Sequence, residues 1–118
     1  MVSLFQSGTF ILNSGKHSPW KIDCDALTAE DIATLAEMIS HRISNFGSVE
    51  GVPRGGLRLA EAMKKYVTQG PLLIVDDVLT TGGSMDHHRA GRHALGAVIF
   101  ARGLCPAWIT SIFQIVGE

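Results

Sequence analysis

Apolar positions fall into short clusters whose spacing switches between two residues and three to four, the pattern of strands alternating with helices. Thr9 to Leu12 is a short apolar run, and Asn13-Ser14-Gly15 is turn chemistry. Ser18 to Cys24 alternates, with Trp20, Ile22 and Cys24 apolar. Together these predict an antiparallel hairpin with Lys16 and His17 near its tip. Thr28 is placed to cap a helix over Ala29 to Ile43, with Glu30 and Asp31 in its first turn. Ile32, Leu35, Ala36, Ile39 and Ile43 recur at helical spacing and form its core face.

Further on, Ser48 to Val52 reads as a strand, although Glu50 and Gly51 are unusual strand residues. Gly51-Val52-Pro53-Arg54-Gly55-Gly56 is a Gly-rich loop opening onto a helix from Leu57 to about Thr68, stopped by Gly70 and Pro71. Leu72 to Val75 is an apolar run short enough for a buried strand. Ser84 to Leu95 reads as a helix interrupted by Gly91. Ala97 to Ala101 and, after Pro106, Ile109 to Val116 read as strands. Strands alternating with helices predict a parallel sheet in an α/β fold.

Composition narrows the function classes. The length of 118 residues predicts a single domain, 1–118, with residues 1–27 as a hairpin and 28–118 as the α/β core. A formal net charge of −1 gives no global attraction to nucleic acid or to a membrane surface. No apolar run approaches the roughly 20 residues of a membrane span. The first residues lack the basic flank of a signal peptide. Cys24 and Cys105 lie far apart without metal-like spacing, as expected of reduced thiols in a cytoplasmic protein.

Candidate chemistry concentrates at strand ends, where α/β folds bind ligands. The Gly-rich loop follows Val52, Asp76 and Asp77 follow Val75, and Arg102 follows Ala101. After the acid pair come Thr80, Thr81, Gly82, Gly83 and Ser84, a turn of hydroxyls and flexible backbone before a helix. Such a turn can aim N–H groups at one phosphate. Acids followed by an anion cradle point to a ligand with hydroxyls and a phosphate, together with Mg²⁺. The plain alternative is a buried strand with a capped turn and two solvated acids. An acid pair after an apolar run also occurs in response-regulator receivers. Receivers need a strand-ending Asp and a Lys further along, and residues 78 to 118 contain neither.

The stretch Leu73 to Gly82 resembles the phosphoribosyl pyrophosphate (PRPP) signature of type I phosphoribosyltransferases. That pattern is an aliphatic run, two acids, an aliphatic residue, any residue, two Thr or Ser, then Gly. Val52 to Gly56 resembles the family's pyrophosphate loop. Ser14-Gly15-Lys16-His17-Ser18-Pro19-Trp20 resembles a segment of the orotate branch. The resemblance implies a three-layer α/β fold, with a short parallel sheet of about four core strands and an N-terminal β-hairpin hood. It implies transfer of a phosphoribosyl group from PRPP to a nitrogen base, with a pyrimidine such as orotate favoured, and release of pyrophosphate. Asp76 and Asp77 would be catalytic and would hold Mg²⁺. Thr80, Thr81, Gly82, Gly83 and Ser84 would bind the 5′-phosphate, and Pro53, Arg54, Gly55 and Gly56 the pyrophosphate. Lys16, His17 and Arg102 would meet the base, and a homodimer is expected. In the orotate branch a lysine directly precedes the second Ser, whereas His17 stands there and Lys16 one place earlier.

The chain departs from the family between residues 57 and 71. The family places a helix, a strand, a long mobile loop and a returning strand there. Only a helix and a turn fit here. The four core strands are therefore expected in chain order from near Ser48, Leu72, Ala97 and Ile109, with Ser48 to Val52 as an edge that the hairpin or a second subunit could cover. A non-proline cis bond is expected between Pro53 and Arg54. Without a lid the site should be open, with Lys16, His17 and Arg54 as the basic groups able to substitute for it. An enzyme and a non-catalytic PRPP- or nucleotide-binding regulatory module both fit these motifs. His87, His88 and His93 lack the i, i+4 spacing of a helical metal pair and read as a solvated helix face. Trp20 and Trp108 read as packing residues.

Overall fold

A computed structural model describes residues 3–12 and 15–115. Asn13 and Ser14 of the predicted hairpin turn, and Val116 of the predicted last strand, lie outside the described residues. The hairpin pairs β1 (Phe5–Ile11) with β2 (His17–Ile22) antiparallel, as its own two-stranded sheet. β1 begins four residues before the predicted apolar run. Gln6, Ser7 and Gly8 carry no hydrophobic signal, but Gln6 and Ser7 still pair with Lys21 and Trp20. The register slips between Ser7 and Phe10, at Gly8 with φ +150°. A Cβ on Gly8 would lie 3.2 Å from Cζ of Phe10, so the bare glycine lets the Phe10 ring lie back along the strand.

Helix α1 (Ala29–Arg42) starts in a capping box. The Thr28 hydroxyl accepts from the Asp31 N–H at 3.1 Å, and the Asp31 carboxylate accepts from the Thr28 N–H at 2.8 Å. Its predicted core positions Ile32, Leu35, Ala36 and Ile39 are buried. Helix α2 (Leu57–Met63) is shorter than expected and tightens into a 3₁₀ turn at 64–66. The guanidinium of Arg58 reaches back to donate to the carbonyls of Leu27 and Cys24, tying α2 to the segment after the hairpin.

The main sheet contains β3 (Ser48–Gly51), β4 (Leu72–Leu79), β5 (Ala94–Arg102) and β6 (Ile109–Ile115). The strands run parallel in the order β3-β4-β5-β6, the chain order expected, with no strand between Gly56 and Leu72. Alternate residues face opposite layers. Leu73, Val75, Ala97 and Ile99 pack with α1 and α2, while Ile74 and Val98 pack with Met85 of α3 (Gly83–Arg89). This is the three-layer arrangement. Leu73, Ile74, Val75, Val98 and Ile99 have no exposed area. Each such side chain stabilises the fold by about 1.5–3 kcal/mol relative to exposure, so strand register is firmly held.

Two boundaries differ from the sequence expectation. α3 ends at Arg89 instead of near Leu95, because Ala90 (φ +54°) and Gly91 (φ +76°) both turn left-handed, and β5 starts at Ala94. β4 continues through the acid pair to Leu79, because β5 keeps pairing with it as far as Leu79↔Ala101. β3 pairs only up to Gly51↔Val75. The acids therefore stand where the neighbouring strand ends and not where their own does.

β3 is an edge, as expected, and the hairpin docks elsewhere. Contacts from the hairpin reach β5, through Phe5 against Phe100 and Ser18 and Trp20 against Arg102. On β3 itself, Glu50 accepts two bonds from Arg92 at 3.0 Å and one contact from His88 at 2.9 Å. His88 is thus part of an ion-pair cluster and not a solvated face, whereas His87 and His93 are exposed as expected. Trp108 packs beside the core with the guanidinium of Arg89 4.1 Å from its ring centre. No described helix is long and apolar enough to cross a membrane.

Candidate functional site

The acid pair and the Gly-rich loop, separated in sequence by residues 57–75, come into direct contact. The Val52 N–H donates to the Val75 carbonyl at 2.9 Å, which leads the chain from the end of β3 past the middle of β4. The loop then turns on itself, with the Gly56 N–H donating to the Val52 carbonyl at 2.8 Å. The Pro53–Arg54 peptide is cis, as expected. Gly55 packs against the Asp77 carboxylate: a Cβ there would meet Oδ2, with Cγ at 2.6 Å and Oδ1 at 2.8 Å. Gly56 packs against the backbone of Val75 and Val52. Gly56 is required by close approach to backbone, whereas at Gly55 the atoms in the way belong to the Asp77 side chain.

Asp76 is 6% exposed. Its Oδ1 accepts from the Asp77 N–H at 2.8 Å, and Asp77 Oδ1 accepts from the Val78 N–H at 2.7 Å. These local bonds hold the two side chains along the strand. Burial, then the hydrogen bond and charge of Asp77, push the Asp76 carboxyl up to about 8. A carboxyl so placed favours a bound proton or a bound cation. The chemistry of the pair suits Mg²⁺, which takes one or two carboxylates and fills its remaining positions with water and ligand phosphate. Among the described residues no group of three His, Cys, Asp or Glu side chains could hold a metal by itself. The pair therefore fits Mg²⁺ as an ion shared with a ligand.

A cleft of about 280 Å³ opens over the acids. Asp76, Asp77, Thr80, Gly82, Ser84 and Arg102 line it, with Lys21 of β2 on the hairpin side. Gly82 has φ +87°, a left-handed conformation that suits glycine, and the Gly83 N–H donates to the Thr81 hydroxyl at 3.2 Å. Thr81, Gly83 and Ser84 are exposed at this turn. A second pocket of about 640 Å³ adjoins the first through Leu12, Thr80 and Arg102. Lys16, His17, Pro19, Trp20 and Leu104 are among its walls. A third, of about 240 Å³, adjoins through Asp77 and is lined by Arg54, Gly55, Arg58 and Cys24. Burial, then the charge of Asp77, pushes the Cys24 thiol up to about 12, so it stays protonated and unreactive. Both cysteines are free thiols, as expected.

Of the sequence-predicted residues, Asp76, Asp77, Thr80, Gly82, Ser84 and Arg102 line the cleft, Lys16, His17 and Thr81 the second pocket, and Arg54 and Gly55 the third, whereas Pro53, Gly56 and Gly83 line none of the three. Two residues were not anticipated. Trp20 lies under Arg102, whose guanidinium is 3.5 Å from the ring centre. Arg102 also donates to the Ser18 hydroxyl at 2.9 Å and to the Trp20 carbonyl at 3.3 Å. A planar guanidinium stacked on indole and bonded at its edge is held in one orientation. Lys21, absent from the expected set of basic groups, lines the acidic cleft. The period-2 pattern does place Lys21 opposite Trp20 on the strand, but only docking of the hairpin on β5 decides that both border a pocket.

Solved structures share this architecture. Orotate phosphoribosyltransferase from Aeropyrum pernix is 20% identical and superposes with a TM-score of 0.76, over 94% of this chain and 88% of that one. The UMP synthase of Leishmania donovani is 19% identical with a TM-score of 0.73, over 95% of this chain and 34% of that one. Orotate phosphoribosyltransferase of Mycobacterium tuberculosis, in complex with PRPP, is 17% identical with a TM-score of 0.62, over 89% of this chain and 86% of that one. No family model and no curated protein matches by sequence. The chain has the fold of the type I phosphoribosyltransferases, in the form seen in the orotate enzymes.

Proposed function

We propose that this chain binds PRPP together with Mg²⁺ and transfers the phosphoribosyl group to a nitrogen base, with a pyrimidine such as orotate favoured. The observation that carries this reading is the contact of Gly55 with the Asp77 carboxylate. It joins the loop proposed for pyrophosphate to the acids proposed for ribose, so that one ligand can meet both. In the reaction the bond from ribose C1 to pyrophosphate breaks, a bond from C1 to the base nitrogen forms, and the proton of that nitrogen is released to water. Positive charge grows on the ribose in between, and the Asp77 carboxylate stabilises it, joined by Asp76 where a bound cation displaces its proton. Thr80, Thr81 and Ser84 hydroxyls, with the backbone of Gly82 and Gly83, hold the 5′-phosphate. Arg54, with the backbone of Gly55 and Gly56, holds the pyrophosphate. Mg²⁺, when bound, neutralises the leaving pyrophosphate. Lys16, His17 and Arg102 border the pocket for the base, and the stacked Arg102 is oriented for a planar polar partner.

The second reading is a PRPP- or nucleotide-binding module without turnover. The segment from Gly56 to Leu72 favours it, since it contains α2 and a turn and no covering loop. Water exclusion strengthens electrostatic catalysis, so an open site should turn over slowly, with hydrolysis of PRPP competing with transfer. The test is pyrophosphate release from the purified chain with PRPP and Mg²⁺, comparing orotate, uracil and purines with a no-base control. Base-dependent release supports the transferase. Tight PRPP binding without base-dependent release moves the assignment to the module, and no PRPP binding sinks both.

A further inference from the structure

We infer that Lys21 is the cation that holds the phosphate of a ligand seated against the turn 80–84, a role that rests on the function proposed above. Three observations lead to it. First, the turn contributes hydroxyls and backbone but no positively charged side chain, because residues 80 to 84 are Thr, Thr, Gly, Gly and Ser. The same cleft contains Asp76 and Asp77. A phosphate dianion entering a cleft that already contains an acid pair is favoured by a positive charge facing the turn.

Second, the positive charges at the rim are differently engaged. Arg54 lines the pocket on the far side of Asp77 and not this cleft. Arg102 borders the cleft but is stacked on Trp20 and bonded to Ser18 and the Trp20 carbonyl. Lys16 lines the second pocket. Lys21 lines the cleft itself, and among the described residues its ammonium has no carboxylate within 4.0 Å.

Third, Lys21 is aimed by the irregularity of the hairpin. Its Nζ sits 5.0 Å from the centre of the Phe10 ring. That ring lies close over Gly8, where a Cβ would stand 3.2 Å from Cζ, and the register slips beside it. The bulge thus builds an aromatic rest for an ammonium at the mouth of an anionic ligand site. A phosphate replaces the weak ring contact with a charge-assisted hydrogen bond.

The test is calorimetric titration of the wild-type chain, Lys21→Gln, Lys21→Arg and the control Lys65→Gln, a lysine that lines neither this cleft nor the second pocket. The probes are ribose 5-phosphate, PRPP with Mg²⁺, and pyrophosphate with Mg²⁺, and thermal melts verify that each variant is folded. In Lys21→Gln, affinity for ribose 5-phosphate and for PRPP should fall by the same factor, about tenfold or more, because a charge-assisted bond is lost. Pyrophosphate affinity should not change. Lys21→Arg should retain most of the affinity, and Lys65→Gln should match the wild type. The inference is overturned if Lys21→Gln binds ribose 5-phosphate as the wild type does, or if only pyrophosphate affinity falls. In both cases wild-type binding of PRPP leaves the proposed function standing. A wild-type chain that binds neither ribose 5-phosphate nor PRPP overturns both.

Discussion

Gly56→Ala should unfold this protein at markedly lower temperature, and it should disturb the backbone proposed to hold pyrophosphate as well. The new Cβ would run into the Val75 carbonyl oxygen and stand 2.8 Å from Val52 N and 2.9 Å from Val52 O. All three are backbone atoms of the sheet and the turn, so no side chain can swing aside. They also form the two hydrogen bonds that start the loop, Val52 N–H to Val75 O at 2.9 Å and Gly56 N–H to Val52 O at 2.8 Å. Losing two neutral backbone bonds costs about 2 kcal/mol, and overpacking adds about 1–3 kcal/mol. At roughly 4 °C per kcal/mol for a domain of this size, the melting temperature should fall by about 12–20 °C. Circular dichroism melts and urea titrations measure it. A Gly56→Ala variant melting within about 3 °C of the wild type would refute the close approach of loop and β4 that the whole site depends on. Gly55→Ala gives the internal comparison, since its Cβ meets the side chain of Asp77 instead of backbone. There the carboxylate should rotate away from the Val78 N–H, costing stability only about 1 kcal/mol, while Mg²⁺-dependent PRPP binding is lost.

Two further outcomes follow from electrostatics. Asp76→Asn should raise stability at neutral pH while weakening PRPP binding. The folded Asp76 titrates near 8 against an ordinary value of 3.8, so between these pH values the folded state holds a proton that the unfolded chain has released. Stability from this group is thus full below about pH 3.8 and lost as pH rises through about 8; melts from pH 4 to 9 should slope down in the wild type more than in the variant, and parallel curves would contradict the burial argument. At the β3 edge, the Arg92 bonds, then His88, hold the Glu50 carboxyl below its ordinary value. That contribution is present above the unfolded value and lost as pH falls through the folded one, so Arg92→Gln should lower the melting temperature slightly near pH 7 and not at all at pH 2, and the effect should be small because the pair is solvent-exposed.

Much of this architecture is local and therefore visible in the residues. The spacing of Ile32, Leu35, Ala36 and Ile39 dictates an amphipathic helix, and Thr28 with Asp31 dictates where it begins. The apolar runs at Leu72 and Ala97 dictate buried strands, and alternation with helices dictates a parallel sheet. The acids with the Thr-Thr-Gly turn, and the Gly-rich loop, stand out because each is a short contiguous run of residues. What escaped is what depends on a partner element. β4 runs on through Asp76 and Asp77 because β5 is there to pair with it, and α3 stops early because Ala90 and Gly91 turn left-handed before β5. No periodicity marks Gln6 to Gly8 as strand, since that stretch is held by pairing with β2 and not by burial. Above all, Trp20 and Lys21 are successive residues of an ordinary-looking strand. Side chains alternate across a strand, but which pocket each side borders is settled only when the hairpin docks on Phe100 and Arg102. A sequence carries the reach of each side chain; the packing of distant segments decides what lies within that reach.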